Sequence, residues 1–306
     1  MTITEDTTLR AWPDQPGWWY ARLYPGGLDR LDLAVQTLLP ELLPIVSGGG
    51  AHRWFFIRYT DWNGPHLRLR VHGQRALLDH LQRELPSMAK SCAEIAAQPC
   101  EPHASLVPLD ASLFKGRHTG LDTALYEPEL DKYGGPQGVD AAELLFTRSS
   151  ELALKANTLA KTSDRAALTV LLMRASVAVV QRMHGIRPGS PSSADYWERH
   201  LYWWTCDAGT EAERLRDGLR QQAKEEQAIL QGLERLSADT WTLSRVADWS
   251  AAVTAYLEQA ATTAVPRTPG HLIFHQNHMM ANRLGILPRE EALLGIIAAN
   301  YKGGSP

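Results

Sequence analysis

The residues best suited to chemistry lie between Trp54 and Gly73, in the stretch WFFIRYTDWNGPHLRLRVHG. In its second half His66, Arg68 and Arg70 fall on one parity, and Leu67, Leu69 and Val71 on the other. A strand repeats every two residues, so three cationic or titratable side chains line one face and three apolar ones the other. Without alternating carboxylates such a row repels itself unless an anion or polar substrate lies over it. The plainer alternative is a half-exposed strand whose polar face meets water. Three further groups carry acid–base or donor chemistry: Tyr126-Glu127 leading to Lys132-Tyr133, the aromatic run Tyr196 to Trp204, and His278 with Asn282-Arg283. His278 and Asn282 are one helical turn apart and share a face. Each group also has an ordinary structural role open to it. Tyr126 can anchor a loop, Glu127 can pair with a hairpin arginine, Tyr196 can pack on Trp203, and His278 can be a satisfied interior histidine.

Composition narrows the classes. A chain of 306 residues with 44% hydrophobic content can bury a large core. A net charge of −3 gives no global field for nucleic acid, so any basic site is local. Cys92, Cys100 and Cys206 form neither a CxxC pair nor a metal-type cluster, which points to a reduced, cytoplasmic protein without a structural metal. There is no GxGxxG, GxxxxGK[ST], HExxH or GxSxG motif. The N-terminal MTITEDTTLRAWPDQPG lacks an apolar signal core, and no run of about 18 apolar residues suggests a membrane span. Ten tryptophans gather at 12–19, 54–62, 197–204 and 241–249, as the walls of a groove would.

The elements that must position these residues follow from periodicity. Trp18 to Tyr24 reads as a strand broken by Pro25-Gly26-Gly27. Asp29 opens a helix whose stripe Leu31, Val35, Leu38, Leu39 and Leu42 ends by Pro44. Asn63-Gly64 turns a hairpin, with Pro65 favouring a loop longer than two residues. A helix from Gln74 to Ala97 breaks at Pro86, and Ala104 to Leu109 supplies a fourth strand. The order strand–helix–strand–strand–helix–strand predicts an α+β fold with a ferredoxin-like split βαβ half. Residues 110–137 read as a long functional connection. From Val139 onward the pattern is helical throughout, at 139–161, 164–184, 192–205, 210–236, 243–262, 270–284 and 289–299, with Pro188 among the breakers. The expected organisation is 1–137 as the sheet half and 138–306 as the helical half, one compact unit sharing a cleft.

In order and spacing, FFIRYTDWNGPHLRLR, YEPELDKYGG, WERHLYWW and HMMANRLGI resemble the elimination domain of class I lanthipeptide dehydratases and its stand-alone relatives in thiopeptide biosynthesis. The resemblance covers nearly the whole chain, and the hairpin block is its most specific part. It implies one of two activities on a ribosomally made precursor peptide with an acidic leader. One is loss of glutamate from glutamylated serine to give dehydroalanine. The other joins two dehydroalanines of a thiazole-bearing peptide by an aza-Diels–Alder-type cycloaddition, with loss of water and leader, to give a pyridine macrocycle. Neither needs a metal or organic cofactor, and neither implies nucleic acid or membrane as partner. By the same resemblance Arg68 and Arg70 match the arginines that hold the glutamyl carboxylate, and His278 matches a C-terminal histidine. Pro128 and Lys132 stand where eliminating members carry arginines, and Met280 replaces a second histidine, which favours the cyclase. The expected catalytic set is Tyr59, Glu127, Tyr196 and His278. The expected substrate-binding set is His66, Arg68, Arg70, Tyr126, Trp203 and Asn282. A third possibility is a non-catalytic leader-binding partner.

Overall fold

The computed structural model describes residues 15–110, 114–159, 161–185 and 191–303; Trp12, the rest of the N-terminal 14 residues and Pro188 lie outside the described residues. Strands β1 (Gly17–Gly27), β2 (Arg53–Asp61), β3 (Gly64–Gly73) and β4 (Lys115–Thr123) form one sheet in the order β2-β3-β1-β4, with every neighbouring pair antiparallel. Helix α1 (Leu31–Gly48) links β1 to β2, and α2 (Arg75–Arg83) with α3 (Leu85–Ala97) links β3 to β4. This is the ferredoxin-like topology expected from the order of elements.

The boundaries differ in instructive ways. The fourth strand is Lys115–Thr123, not Ala104 to Leu109, which is coil with a bend at Leu106 and Val107. As an edge strand with largely exposed side chains and two glycines, it carries no alternation to read. Strand β1 runs on through Pro25 and Gly26 by way of a register shift, and α1 continues past both Pro40 and Pro44. An interior proline costs a helix about 3 kcal/mol. Here the stripe Leu38, Leu39, Leu42 and Val46 is buried on both sides of Pro44, and each such side chain returns about 1.5–3 kcal/mol. Asp29 does not cap α1 with its side chain but accepts from the His103 N–H at 2.8 Å.

The hairpin closes through two residues, Trp62 and Asn63, with Asp61 opposite Gly64. Gly64 has φ +110°, and a Cβ there would meet the Lys115 carbonyl oxygen at 2.9 Å. The turn is pressed onto the start of β4, where the Asn63 carbonyl accepts from the Arg117 and His118 N–H groups at 3.0 and 3.1 Å.

The helical half comprises a short α4 (Leu130–Tyr133), α5 (Pro136–Ala156), α6 (Thr162–Met183), α7 (Pro191–Trp203), α8 (Ala212–Glu225), α9 (Gln227–Leu236), α10 (Thr240–Thr262), α11 (Pro269–Arg283) and α12 (Pro288–Asn300). The charged 210–236 stretch is two helices, broken at Glu226 with ψ 63°. By length and hydropathy alone 28–48 and α6 could each cross a membrane. Helix α6 instead runs through the middle of the helical half, packed on α9, α10, α11 and α12.

One face of the sheet, with Leu67, Leu69 and Val71, packs on α1, α2 and α3. The opposite face carries the arginine row and is turned toward the helical half. What joins the two halves is a buried charge cluster. Arg58 of β2 and Arg165 of α6 each reach Asp32 of α1 at 2.6 Å, and Arg58 also donates to the Asn157 side chain at 2.7 Å. The free edge of β2 is closed by side chains rather than by another strand. Asn282 of α11 accepts from the Arg58 N–H and donates to the Arg58 carbonyl, both at 2.8 Å, and Ser150 of α5 accepts from the Phe56 N–H at 3.2 Å.

Burial alone would raise the Asp32 pKa, but Arg58 and Arg165 outweigh it and hold it at about 2. Asp32→Ala leaves two buried guanidiniums short of a partner and should cost about 3 kcal/mol in urea unfolding at pH 7. Because the folded value lies below the ordinary 3.8, this contribution is complete above that pH and is lost as pH falls through about 2. A variant as stable as wild type at pH 7 would show that the cluster does not hold the halves together.

Candidate active site

The arginine row lies under a cavity of about 280 Å³ between the upper sheet face, the 126–133 segment, α5 and α11. Register fixes its floor. Arg70 sits between Tyr20 of β1 and Phe55 of β2, and Arg68 between Arg22 and Ile57. The Arg70 guanidinium lies 4.7 Å from the Tyr20 ring centroid and 5.1 Å from that of Tyr126, and the Arg68 guanidinium 3.3 Å from that of Tyr59. Among the described residues neither arginine makes an ion pair with a carboxylate. Tyr126 donates to Glu143 at 2.8 Å, and Glu143 is held in turn by Arg53. Burial and the neighbouring Glu143 carboxylate push the Tyr126 phenol up, so it stays neutral. At the rim stand Glu127, and Glu129 paired with Lys132 at 3.1 Å.

Helix α11 supplies the roof. His278 faces the cavity, and its Nδ1 lies 2.8 Å from the Glu291 carboxylate of α12. Glu291 is fully buried and also meets the Nε2 of His200 at 3.3 Å. Burial would raise the Glu291 pKa; His278 and His200 outweigh it and bring it down to about 2. An ionised carboxylate therefore accepts a hydrogen bond from Nδ1–H of His278 and leaves Nε2 as the nitrogen available to other groups. On the far side of this His–Glu–His bridge is a second cavity of about 530 Å³, between α6, α7 and α11, with Tyr196, Trp203, Phe274 and His275 in its walls.

The expected residues thus divide. Tyr59, Arg68, Arg70, Tyr126, Glu127, His278 and Asn282 line the smaller cavity together. Tyr196 and Trp203 line the larger one. His66 reaches neither: it is wholly buried, its Nδ1 3.0 Å from the Gly64 carbonyl and its Nε2 accepting from Arg68. Burial lowers its pKa to about 4, so it is a neutral prop for Arg68 rather than a third cation. Both polar groups of the Asn282 amide are engaged by the Arg58 backbone. The Tyr196 hydroxyl accepts from Asn277 at 3.1 Å. Met280 lies in the core, so its departure from the family pattern touches neither cavity.

Glu291 and His275 carried no readable signal, and Glu129 was visible only as part of the YEPELDKYGG block. Glu290 and Glu291 together read as ordinary acids of a first helical turn. Glu290 plays that part, accepting from the Leu287 N–H at 2.8 Å, and, itself buried, also accepts from the Leu106 N–H at 2.7 Å, while Glu291, equally buried, reaches the two histidines.

A four-stranded ferredoxin-like sheet with a cationic upper face, roofed by a histidine-bearing helix, agrees with what comparison finds. The family described as lantibiotic biosynthesis dehydratase C-term matches residues 18–301, and the chain belongs to it. The nisin biosynthesis protein NisB of Lactococcus lactis subsp. lactis is 25% identical over 148 residues, 48% of this chain and 12% of NisB. Among solved structures, the tRNA-dependent lantibiotic dehydratase MibB from Microbispora sp. 107891 superposes with TM-score 0.57 at 21% identity, over 97% of this chain and 28% of MibB. TsrL gives TM-score 0.61 at 16% identity, over 94% of this chain and 93% of TsrL. The pyridine synthase TbtD from thiomuracin biosynthesis gives 0.56 at 17% identity, over 92% of this chain and 96% of TbtD. The chain therefore spans about an eighth of NisB and little over a quarter of MibB, and nearly all of TsrL and TbtD.

Glu291→Gln keeps the shape and removes the charge between the two histidines. At pH 7 it should lose about 3 kcal/mol of stability, as expected when one member of a buried charged cluster is removed. With a folded pKa of about 2 against an ordinary 4.5, the difference from wild type persists above pH 4.5 and closes as pH falls toward 2. Melting curves at pH 7, 4 and 2.5 check this, and a gap independent of pH would mean that Glu291 is not ionised in the fold.

Proposed function

We propose that this protein is a cofactor-independent peptide cyclase of the pyridine-synthase type. It joins two dehydroalanines of a thiazole-bearing precursor and expels water and the leader. The observation that carries the reading is the charge balance of the smaller cavity. Lys132 is committed to Glu129, and Pro128 brings no charge. Arg68 and Arg70 remain as the cations open to a ligand, set among Tyr20, Phe55, Tyr59 and Tyr126 rings; the third guanidinium of the lining, Arg283, is wholly buried and donates to the Ser150 hydroxyl and the Met279 carbonyl. Glu127 and Glu129 at its rim oppose the approach of a glutamyl carboxylate, while the guanidiniums can still hold the oxygen of a neutral amide. The near end-to-end match with a pyridine synthase supports the same reading.

The cycloaddition needs one amide held as its imidic tautomer, with a donor on its oxygen and an acid–base group near its nitrogen. Arg68 and Arg70 supply N–H donors that hold a carbonyl oxygen as its electron density rises. Tyr59, half-exposed beside Arg68, offers a hydroxyl donor. Nε2 of His278, with Nδ1 fixed by Glu291, moves protons in the later losses of water and leader amide. Holding two segments of one peptide in contact supplies much of the acceleration, since orientation alone can be worth several powers of ten.

The second reading is loss of glutamate from glutamylated serine, and the two uncommitted arginines are what favour it. Mass spectrometry separates the cases after incubation with a dehydroalanine-bearing thiazolyl peptide or with its glutamylated precursor. Loss of water plus leader is the expected result; loss of glutamate means elimination, and binding without mass change means a leader-binding partner. In the productive assay Arg68→Ala should lower turnover at least tenfold, about 1.4 kcal/mol of transition-state stabilisation, with little change in melting. Equal loss of activity and stability would assign Arg68 a structural role.

A further inference from the structure

We propose that the larger cavity, between α6, α7 and α11, is a subsite that holds the neutral, planar heteroaromatic rings of the same peptide, about three residues from the reacting centre. The proposal rests on the cyclase reading and adds where the unreactive part of the substrate lies.

Size is the first reason. The cavity under the α11 roof holds about 280 Å³, just below the range of pockets that enclose a drug-sized ligand, and cannot take two reacting residues together with the chain between them. The second cavity, about 530 Å³, lies well inside that range.

The second reason is its chemistry, which is aromatic and uncharged. Trp203 stands at the mouth with 56% of its surface exposed, its ring centroid 5.5 Å from that of Phe274 in an edge-on pair. Phe274 is 5.2 Å from His275, and His275 is 4.6 Å from His271. The rim charges Asp195 and Arg199 pair with each other. His275 is kept neutral by burial and by nearby Lys132, and its pKa falls to about 3. The Tyr196 phenol is pushed up by burial. Among the described lining residues Asp195 and Arg199 are already paired with each other, whereas a flat neutral ring finds edges and faces to pack against.

The third reason is continuity with the first cavity. His271, Phe274, His275, His278 and Asn282 recur at helical spacing on α11, the first three lining the larger cavity and the last two the smaller. The Trp204 ring bridges them, 5.6 Å from Phe274 and 4.7 Å from His278. Seven residues of helix between His271 and His278 rise about 10 Å, which about three extended residues span.

The test uses a short peptide amide carrying two thiazoles and no dehydroalanine, so that binding is read without reaction. Calorimetry on the full chain should show binding that Trp203→Ala weakens at least tenfold and Tyr202→Ala leaves unchanged. Tyr202 is equally exposed on α7 but lies outside the cavity lining. A peptide with alanine in place of thiazole should bind at least tenfold more weakly to wild type. If Trp203→Ala and wild type bind the thiazole peptide equally, the subsite assignment is wrong, whether or not the enzyme cyclises. Trp203-dependent binding by a protein that produces no pyridine would support the subsite and overturn the cyclase reading. Cyclisation by Trp203→Ala with an unchanged KM would do the reverse.

Discussion

Asp32 between Arg58 and Arg165 is the interaction on which the rest of the architecture depends. It ties the first helix to the edge strand of the sheet and to the central helix of the other half. Three charges in a largely apolar setting are a poor source of net stability, since desolvation consumes most of what their attraction returns. Their effect is geometric. Arg58 can satisfy Asp32, Asn157 and the Arg283 carbonyl together only with β2, α1 and the end of α11 in one arrangement. The Asn282 amide then fills the hydrogen-bonding positions that a further strand would take, which also protects β2 from edge-to-edge pairing. With Asn282 pinned there, His278 one turn earlier is held over the arginine row.

The two cavities divide the electrostatic work. Under the α11 roof, the Arg68 and Arg70 guanidiniums lie among aromatic faces and, among the described residues, pair with no carboxylate. Beyond the histidine bridge, burial and internal pairing remove charge from the walls. Glu291 separates the two regimes. Its carboxylate is held within the bridge, by His278 on one side and His200 on the other.

Departures from the family pattern fall unevenly on this geometry. Met280 sits in the core and alters neither cavity. Pro128 and Lys132 lie in the segment over the arginine row, where a missing or neutralised cation changes what the site can hold. Position, more than residue type, decides which departure bears on chemistry.

The hairpin, the helical second half and the ferredoxin-like order of elements were legible in the sequence, because periodicity and breaker residues report local conformation directly. The parity of His66, Arg68 and Arg70 was equally plain, since a strand's two faces follow from counting. Only the tertiary structure decided what each of these side chains meets. His66 shares the arginines' face yet is covered by the turn and by the Tyr24 and Tyr59 rings, so burial makes it a neutral support. Tyr196 and Trp203 share the aromatic character of the site but stand further along α11 from it, a separation that no local pattern encodes. Strand β4 was hidden because an exposed edge strand buries too little to impose alternation. Glu291 was hidden because nothing in a run of acids at a helix start says which partners they meet, and only the packing of α12 against α7 and α11 brings it between His200 and His278.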